Sequence, residues 1–358
     1  MNVTSDQVLN VLKQVKDPDL NQDIVALGFI KDLTVHDGTV SFAIQLTTPA
    51  CPVRELMKDQ ATQAVRALPG VTDVRITMTS QVRSSMSAQA AGSLIPTIKN
   101  VVPIASGKGG VGKSTVSANL AVALAHTGAS VGLMDADVYG PSIPTLLGIR
   151  EAPELTEARR IIPVRQHGIA VMSMAFFMKL EDAIIWRGPM LHKTVQQFLG
   201  SVEWGELDYL IIDLPPGTGD VQLSLCQSIP ITGAVIVSTP QDVALNVAQK
   251  AIAMFKKLNA PILGIIENMS SYTCPHCGKR DEIFGHGGAR KTAERLGIPF
   301  LGDIPLATAI RETSDAGKPI VLADPNSPIA KAFVNVAEHL AAQASIRAMQ
   351  MEQVKVTF

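Results

Sequence analysis

An apolar segment, a glycine-rich loop and a helical pattern follow one another near residue 100, and they constrain the fold more than any other feature. Val101–Ala105 is a continuous apolar run, Gly107–Thr115 has the sequence GKGGVGKST, and Val116–Ala125 has the spacing of a helix. Glycines let the backbone bend around an anion, and the N-terminus of the following helix favours negative charge. The pattern therefore predicts a phosphate-binding loop between a strand and a helix. The alternative is a glycine-rich turn that binds nothing, and this setting argues against it.

The residues of this loop have separate expected tasks. Lys113 is expected to reach the β- and γ-phosphates of a nucleotide, and the Ser114 hydroxyl is expected to ligate Mg²⁺. The expected nucleotide contacts are Gly107, Lys108, Gly109, Gly110, Val111, Gly112, Lys113, Ser114 and Thr115.

Lys108 is a second lysine that a phosphate cradle does not require. From charge alone it would be a solvated surface lysine. The segment Gly107–Thr115 resembles the deviant P-loop of the ATPase superfamily that includes the nitrogenase iron protein and the Min- and Par-type ATPases. In that superfamily the extra lysine crosses a dimer interface to the partner's nucleotide. The resemblance implies that Lys108 stabilises phosphoryl-transfer charge in trans.

Composition excludes several classes of protein. The chain has 358 residues and a formal net charge of −1. This charge gives no electrostatic case for nucleic acid or an anionic membrane as a partner. No apolar run reaches the roughly 18 residues of a membrane-spanning helix, and the N-terminus lacks the pattern of a signal peptide. The four cysteines are better interpreted as thiols or ligands than as a disulfide framework.

Residues 1–80 are predicted to form a small α+β domain, residues 81–98 a linker, and residues 99–358 a larger domain. The linker prediction rests on Ser80–Ser93, which is rich in Ser, Ala, Gln and Gly. The elements predicted for the small domain are a helix capped by Ser5 or Asp6, strands Ile30–Val35 and Thr39–Leu46 around the turn Asp37-Gly38, a helix from about Val53 to Leu68, and a strand near Val71–Met78.

In the larger domain, apolar runs alternate with helical patterns. The runs are Val101–Ala105, Ser130–Met134, Ile169–Met174, Tyr209–Ile212, Ala234–Val237 and Ile262–Ile266, with Phe300–Leu301 as a candidate seventh. This alternation predicts an α/β fold with a doubly wound, mostly parallel sheet. Ligands of such sheets bind at the carboxyl ends of the strands, where the motifs of this chain fall.

Carboxylates end two of these predicted strands. Asp135 and Asp137 follow the second run, and Asp213 ends the fourth in the Walker B form. Positioned carboxylates can orient an attacking water or hold Mg²⁺, although aspartates at a loop entry more commonly cap a turn. In the superfamily's pattern the second aspartate orients the water. The resemblance therefore implies Asp137 as a catalytic residue with Lys108 and Lys113, while Asp135 and Asp213 are expected near the metal.

Two loops after predicted strands are further candidates. Gly217 and Gly219 are expected to hinge a loop that senses the γ-phosphate, the alternative being a rigid, proline-bound loop. Asn268 is expected to end the strand that begins at Ile262, and its amide can donate to and accept from an adenine edge. In the wider superfamily an asparagine at this strand end recognises the base, although turn asparagines are common.

Cys274-Pro275-His276-Cys277 has the spacing of a metal-binding pair. Two thiolates favour zinc, copper(I) or an iron–sulfur cluster, and structural zinc usually needs four ligands. His276 and His286 could complete a zinc site, and a thioredoxin-like redox role is less consistent with the context. Two cysteines in each chain, doubled by a two-fold axis, supply the four thiolates of a 4Fe–4S cluster. The trans role of Lys108 requires the same symmetric dimer.

The motifs together resemble one family. GKGGVGKST, DADVYGPS (Asp135–Ser142), IIDLPPGTGD (Ile211–Asp220), ENMS (Glu267–Ser270) and CPHC resemble the Mrp/ApbC iron–sulfur cluster carrier ATPases over residues 100 to about 345. The residues before the linker resemble the SufT-like cluster-assembly domain. The resemblance implies a cytoplasmic homodimer that binds ATP, Mg²⁺ and a bridging, labile 4Fe–4S cluster. It would transfer the cluster, coupled to ATP, to apo iron–sulfur proteins and would meet cluster-assembly factors.

Alternatives remain at this stage. A Min- or Par-type spatial-organising ATPase with a structural zinc knuckle would require a basic amphipathic tail or a DNA-binding patch, and neither is evident. A nitrogenase-like reductase has single, widely spaced cysteine ligands in the resembling family. Cys51 lies between a predicted strand and a helix expected to begin at Pro52, as either an active thiol or a small buried side chain. Cys226 is expected in the core.

Overall fold

A computed structural model of the chain describes residues 3–18, 20–85, 94–177, 188–217 and 219–356. It divides into two compact units, Met1–Arg83 and Ser84–Phe358. Residues 86–93 of the predicted linker lie outside the described residues. None of the helices in the part described reaches the length and apolarity needed to cross a bilayer.

The first unit packs two helices against a three-stranded sheet. Its elements are α1 (Ser5–Leu12), β1 (Lys16–Asp17), β2 (Gln22–Asp23), β3 (Ile30–His36), β4 (Thr39–Leu46), α2 (Arg54–Arg66) and β5 (Asp73–Ser80). In the order β3-β4-β5 the first pair is antiparallel and the second is parallel. Every second residue of β4 is buried, because successive side chains of a strand point to opposite faces.

Two local predictions for this unit are wrong by one or two residues. Thr4, rather than Ser5 or Asp6, caps α1: its hydroxyl accepts the Gln7 N–H at 3.3 Å, and the Gln7 side chain accepts the Thr4 N–H at 3.0 Å. This reciprocal pair satisfies two N–H groups at once, which a single cap cannot do. The second helix begins at Arg54 rather than at Pro52.

In the part of the chain described, the second unit contains a central nine-stranded sheet and a separate two-stranded sheet. Its strands are β6 (Ile98–Ser106), β7 (Val131–Asp135), β8 (Glu154–Leu155), β9 (Ile161–Ile162), β10 (Val164–Gln166), β11 (Ile169–Ser173), β12 (Leu207–Asp213), β13 (Ala234–Ser238), β14 (Ile262–Thr273), β15 (Arg280–Asp281) and β16 (Phe300–Leu306). Strands β8 and β9 form the two-stranded sheet. Its helices are α3 (Lys113–His126), α4 (Ile143–Leu146), α5 (Gly188–Gly200), α6 (Asp220–Ser228), α7 (Asp242–Lys257), α8 (Gly288–Leu296), α9 (Thr308–Asp315), α10 (Ile320–Ala323) and α11 (Pro328–Val356), with a 3₁₀ turn at Met174–Phe177.

The strand order places the glycine-rich loop at the centre of the sheet. Strands β11, β7, β12, β6, β13, β14 and β16 lie side by side in that order and are parallel, while β10 and β15 pair antiparallel at β11 and β14. The chain moves from β6 to β7 on one side and later to β13 on the other, so a crevice opens at the carboxyl end of β6. The predicted α/β, doubly wound fold with a preceding small α+β unit is confirmed.

The helix that follows the glycine-rich loop is covered on nearly all sides. Helix α3 buries residues around its whole circumference, from Val116 to Leu124, between the sheet and α11. A helix that is apolar all round belongs in a core. This burial fixes the position of the helix N-terminus, and therefore of the phosphate-binding loop, relative to the sheet.

Strand β14 is longer than its apolar run predicts. The sequence places its end at Asn268, but the strand continues to Thr273 and pairs there with β15 and β16. Met269 has a φ of 59°, and the pairing with β16 is irregular between Asn268 and Tyr272. The polar segment is held by its strand neighbours rather than by its own apolar pattern, so the prediction that the strand ends at Asn268 is wrong.

Candidate nucleotide site and cysteine hairpin

The glycine-rich loop has a conformation that only glycine adopts freely at two positions. Gly110 and Gly112 have φ values of 78° and 79°, in the left-handed region. A Cβ at Gly112 would also collide with the side-chain amide of Asn268. Gly107 lies outside the left-handed region, but a Cβ there would lie 2.5 Å from the backbone nitrogen of Ala248 on α7. The loop is thus shaped by close approach as well as by turn geometry.

The loop encloses a cavity of about 330 Å³ at the carboxyl end of β6. Its lining residues are Ser106, Lys108, Gly109, Gly110, Val111, Gly112, Lys113, Ser114, Thr115, Asp137, Ser142, Leu146 and Pro216. All the predicted nucleotide contacts of the loop except Gly107 therefore face one cavity, and the predicted catalytic residues Lys108, Lys113 and Asp137 face it too. Gly107 lies against helix α7 instead.

A buried ionic network lies behind this cavity. The Lys113 ammonium is 2.7 Å from the Asp213 carboxylate, and Asp213 has no exposed surface. The hydroxyls of Ser114 and Ser117 each donate to Asp213 at 2.6 Å. Ser117 has no place in the sequence prediction, although its spacing from Ser114 puts both on one face of α3. The network holds the phosphate lysine against the Walker B carboxylate.

Asp135 is buried beside Asp213, because β7 and β12 pair these two residues directly. The pKa of Asp135 is raised to about 7, chiefly by burial and secondly by the neighbouring charge of Asp213. Hydrogen bonds from the Ser173 hydroxyl at 2.9 Å and the Ile143 N–H at 3.2 Å act in the opposite direction. Ser173 was not predicted; it ends β11, the next strand along the sheet.

Asp137 and Lys108 lie at the open side of the cavity. Asp137 is half-buried, and its carboxylate accepts the Gly140 N–H at 3.3 Å. Lys108 is also half-buried, and its carbonyl accepts the Ser106 hydroxyl at 3.0 Å. Within the described residues its ammonium has no ion-pair partner. Both side chains are therefore free to meet a ligand.

Asn268 contacts the loop itself. Its amide nitrogen donates to the Val111 carbonyl at 2.8 Å, so the amide oxygen points away from the loop. The side chain also borders a second cavity, of about 310 Å³, that adjoins Gly112 and Thr115. The other walls of this cavity are Leu146, Met269, Pro305, Leu306, Ala307, Ile310, Arg311, Ser314, Asp315 and Phe333. An apolar cavity beside a phosphate-binding loop suits a flat base.

The cysteine pair lies at the tip of a hairpin and not in either cavity. Strands β14 and β15 form the hairpin, which the Cys274 and Lys279 backbones close at 3.0 Å. Cys274 is half-buried and Cys277 is exposed. The backbone N–H of Cys277, followed by that of His276 and the Cys277 side chain, lowers the pKa of the Cys274 thiol. A lowered thiol pKa favours the thiolate that binds metals.

The alternative ligands for zinc are not assembled around this pair. Among the residues described, no group of three or more His, Cys, Asp and Glu side chains could hold a metal ion. The His286 ring lies 3.5 Å from Glu267. Glu267 is fully buried and accepts the N–H groups of Gly287 and Ala289 at 2.8 Å each, at the start of α8. Glu267 was not assigned a role by the sequence, and it anchors the segment that follows the hairpin.

The other two cysteines are placed differently. Cys51 is half-buried between β4 and α2, two residues before the N-cap residue Val53. Cys226 is partly buried on α6 against the core of the second unit, as expected, and burial raises the pKa of its thiol to about 11. Burial thus favours the protonated thiol at Cys226, whereas the pKa of Cys274 is shifted toward the thiolate.

The loop from Asp213 to α6 is held by a residue that the sequence did not single out. Gln222 is buried, and its amide nitrogen donates to the Pro215 and Gly217 carbonyls at 2.9 and 3.1 Å. Its amide oxygen accepts the Gly219 N–H at 3.0 Å. The predicted hinge loop is therefore tied to the first turn of α6. Thr218 lies outside the described residues.

Comparison with known proteins identifies the family. The profile described as NUBPL iron-transfer P-loop NTPase matches residues 97–341, and that described as iron–sulfur cluster assembly protein matches residues 5–78. The chain belongs to the NUBPL iron-transfer P-loop NTPase family. It is 46% identical to an iron–sulfur cluster carrier protein of Synechocystis, covering 97% of this chain and 99% of the relative. It is 48% identical to a carrier protein of Deinococcus radiodurans, covering 96% and 97%.

Solved structures of this fold agree with the family. The chain resembles a nucleotide-binding protein of Archaeoglobus fulgidus in complex with ADP, with a TM-score of 0.56 and 43% identity, covering 62% of this chain and 88% of that one. The cell division ATPase MinD of Pyrococcus furiosus has a TM-score of 0.52 and 26% identity, covering 67% and 97%. The resemblance to a carrier family, expected from the motifs, is confirmed, and the chain is a P-loop NTPase.

Proposed function

We propose that this chain binds a 4Fe–4S cluster as cargo at Cys274 and Cys277 and transfers it to apo iron–sulfur proteins. The observation that carries the proposal is the cysteine pair at the hairpin tip, half-buried at Cys274 and exposed at Cys277, in a chain whose full-length relatives are named iron–sulfur cluster carriers. A position at the hairpin tip suits a cargo that must be received from assembly factors and released again. A lowered pKa at Cys274 supports metal binding by its thiolate.

Two such pairs are required, so the active form is proposed to be a symmetric homodimer. A 4Fe–4S cluster takes four thiolates, and each chain offers two at the hairpin. A two-fold axis through the cluster would make each hairpin tip contact its copy. Within the part of the chain described, no further metal-ligand group competes for this role.

ATP is proposed to bind in the two adjoining cavities. Phosphates fit the cavity of the glycine-rich loop, and adenine fits the apolar cavity beside Asn268. The free amide oxygen of Asn268 would accept a hydrogen bond from the adenine amino group, which guanine lacks at that position. Lys113 would leave Asp213 and bind the β- and γ-phosphates.

Hydrolysis is proposed to use residues from both subunits. Asp137, at the open side of the cavity, orients the attacking water and accepts its proton. Lys108 reaches the nucleotide of the partner subunit and stabilises the negative charge that develops on the transferred phosphoryl group. A role in trans agrees with the absence of an ion-pair partner for Lys108 among the described residues of its own chain.

The residues around Asp213 fit a magnesium ion. Ser114, Asp213 and Asp135 offer oxygen atoms only, which Mg²⁺ prefers. Ser114 would bind the ion directly, Asp213 through water, and Asp135 from the neighbouring strand end. Bound Mg²⁺ neutralises charge on the β- and γ-phosphates. With Lys113 at the phosphates, the Ser117 hydroxyl would still donate to Asp213 and hold that carboxylate in place.

Anaerobic reconstitution tests the cargo. The full chain is incubated with iron and sulfide, and iron, sulfide and zinc per dimer are measured beside the visible spectrum. About four irons per dimer are expected in the wild type, with loss in Cys274→Ala and Cys277→Ala. Cys226→Ala is the matched control, because it removes one thiol that lies against the core, and it should load normally.

The opposite result is equally clear. Zinc retained by the cysteine pair without an iron chromophore would reject the carrier proposal and leave a P-loop NTPase with a metal knuckle. Transfer is then tested by mixing the loaded protein with an apo protein whose activity requires a 4Fe–4S cluster. The recovered activity should exceed that obtained with the same amount of free iron and sulfide.

A further inference from the structure

A groove between helices α6 and α7 is not used by the nucleotide or the cysteine pair. Its volume is about 510 Å³, larger than either nucleotide cavity. Its apolar lining includes Leu223 of α6, Met254 of α7 and Leu258 directly after α7, and Lys250 and Lys257 also line it. Leu223 keeps 39% of its surface exposed, so an apolar side chain in this wall is accessible to a ligand.

The two lysines are positioned on one face of α7. They are seven residues apart, which is two helical turns, so their backbones are separated by about 10.5 Å. Both are exposed, and neither forms an ion pair with any residue that the structure describes. Met254 lies between them on the same face. The groove thus presents a positive charge, an apolar floor and a second positive charge in a line.

The groove is linked to the nucleotide site through α6. The first turn of α6 contributes Gly219 and Leu223 to the groove. Gln222, in the same turn, is hydrogen-bonded to the carbonyls of Pro215 and Gly217. Pro216, between them, lines the phosphate cavity. A ligand in the groove would therefore contact a wall attached to the loop that faces the phosphates.

We propose that this groove binds an extended acidic segment of a recipient apoprotein. An apolar side chain of the segment would rest on Met254, and two carboxylates would pair with Lys250 and Lys257. In an extended peptide of polyproline II conformation, residues three apart lie on the same side and are separated by about 9 Å, which is close to the spacing of the lysines. The proposal rests on the proposed function only in taking an apoprotein as the source of the segment.

The pattern favours such a peptide over other ligands. The negative charges of a polyphosphate are contiguous, whereas the two ammonium groups here are separated by an apolar floor. A second copy of this chain would bind here only if it presented two carboxylates on either side of an apolar side chain. The spacing instead defines a probe: a fluorescent peptide in which Glu-Leu-Leu-Glu is flanked by glycines. Its matched controls are Gln-Leu-Leu-Gln and Glu-Ser-Ser-Glu.

Binding of these peptides to the full chain is measured by fluorescence anisotropy at low and high salt. The acidic, apolar peptide should bind saturably, and both control peptides should bind about tenfold more weakly or worse. The double variant Lys250→Glu, Lys257→Glu should lose affinity by a similar factor. Lys256→Glu, on the same helix but outside the groove, should change affinity less than about twofold.

Several results would overturn the proposal. These are equal binding of the Gln-Leu-Leu-Gln peptide, equal loss in the Lys256→Glu variant, or no saturable binding at all. A change in the sedimentation of the double variant with unaltered peptide binding would make the groove an interface between copies. Iron loading of the same variants is measured in parallel. Normal loading without peptide selectivity rejects only the groove, and selective binding without loading rejects only the carrier function.

Discussion

Asp135 is a carboxyl group whose surroundings oppose its ionisation. It is fully buried, and the nearest carboxylate, Asp213, ends the adjacent strand. Its pKa of about 7, against an ordinary 3.8, means that the folded protein holds a proton between these pH values that the unfolded chain has released. Folding stability without nucleotide and Mg²⁺ is therefore expected to fall as pH rises from about 4 to about 7.

The variant Asp135→Asn tests this expectation, because it resembles the protonated side chain at every pH. The advantage of the variant over the wild type in free energy of unfolding should be larger at pH 8 than at pH 5 by about 1 kcal/mol or more, because at pH 8 the folded wild type must also bury the charge of Asp135. Urea denaturation at the two pH values measures the difference. Parallel behaviour of the two proteins would show that Asp135 is ionised throughout.

Asn268 has two tasks in the proposed site, and substitution separates them. Asn268→Ala removes the hydrogen bond to Val111 and the acceptor for the adenine amino group. ATP affinity should fall about tenfold, and the preference for ATP over GTP should fall with it. Calorimetric titration with both nucleotides measures this, with Ser271→Ala on the same strand as the control. An equal loss for ATP and GTP would mean that the amide acts on the loop alone.

Sequence reasoning identified the loop because its glycines and lysines act within a few neighbouring residues. One cavity is lined by the three residues that the motifs had assigned to the nucleotide, Lys108, Lys113 and Asp137. Ser173 escaped prediction because it reaches Asp135 from another strand, and only the sheet order makes the two neighbours. Thr4 could have been found, since a threonine three residues before a glutamine is typical of a helix start.

At the scale of elements, the sequence pattern was least informative for β14, whose polar second half it did not predict as strand. Its apolar run ends at Ile266, so the pattern gives no reason to continue the strand. The continuation to Thr273 depends on pairing with β15, across the cysteine hairpin, and with β16, which begins only at Phe300. As a result one strand contains both Asn268, the proposed base contact, and the support of the cysteine hairpin.

Glu267 connects this strand to the segment that follows the hairpin. Glu267→Ala would leave the buried N–H groups of Gly287 and Ala289 without their partner. The free energy of unfolding should fall by about 1–3 kcal/mol, and the amide hydrogens of these two residues should exchange faster. Glu294→Ala, an exposed site on α8, is the control and should change stability by less than about 0.5 kcal/mol.

Equal destabilisation by the two glutamate substitutions would contradict this role for Glu267. The hairpin should still load iron in the Glu267→Ala variant if the variant remains folded, because the cysteines themselves are unchanged. Iron content is therefore measured beside stability.

At the scale of the whole molecule, the proposed dimer has a direct kinetic signature. The variants Lys108→Ala and Lys113→Ala should each lose most ATP hydrolysis. In a mixture of equal amounts, half of the dimers combine the two chains, and one of their two sites has an intact Lys113 together with the partner subunit's Lys108. About a quarter of the wild-type rate should therefore return. Phosphate release is measured before and after the two proteins are mixed.

No recovery in the mixture would place Lys108 in the site of its own chain. Subunit exchange is the necessary control, and it is followed by mixing two differently labelled wild-type samples. Exchange in the labelled samples without recovered hydrolysis is the result that contradicts a role in trans.

The cysteine hairpin extends from the sheet by only two paired positions, Tyr272 with Asp281 and Thr273 with Arg280. Fraying of such a short extension does not require opening of the buried strands beneath it. How long a cluster resides on the protein can therefore differ from how long the protein stays folded. Substitutions at Arg280 or Asp281 could shorten the lifetime of the cargo and leave the melting temperature unchanged, so that delivery can be tuned independently of the durability of the carrier.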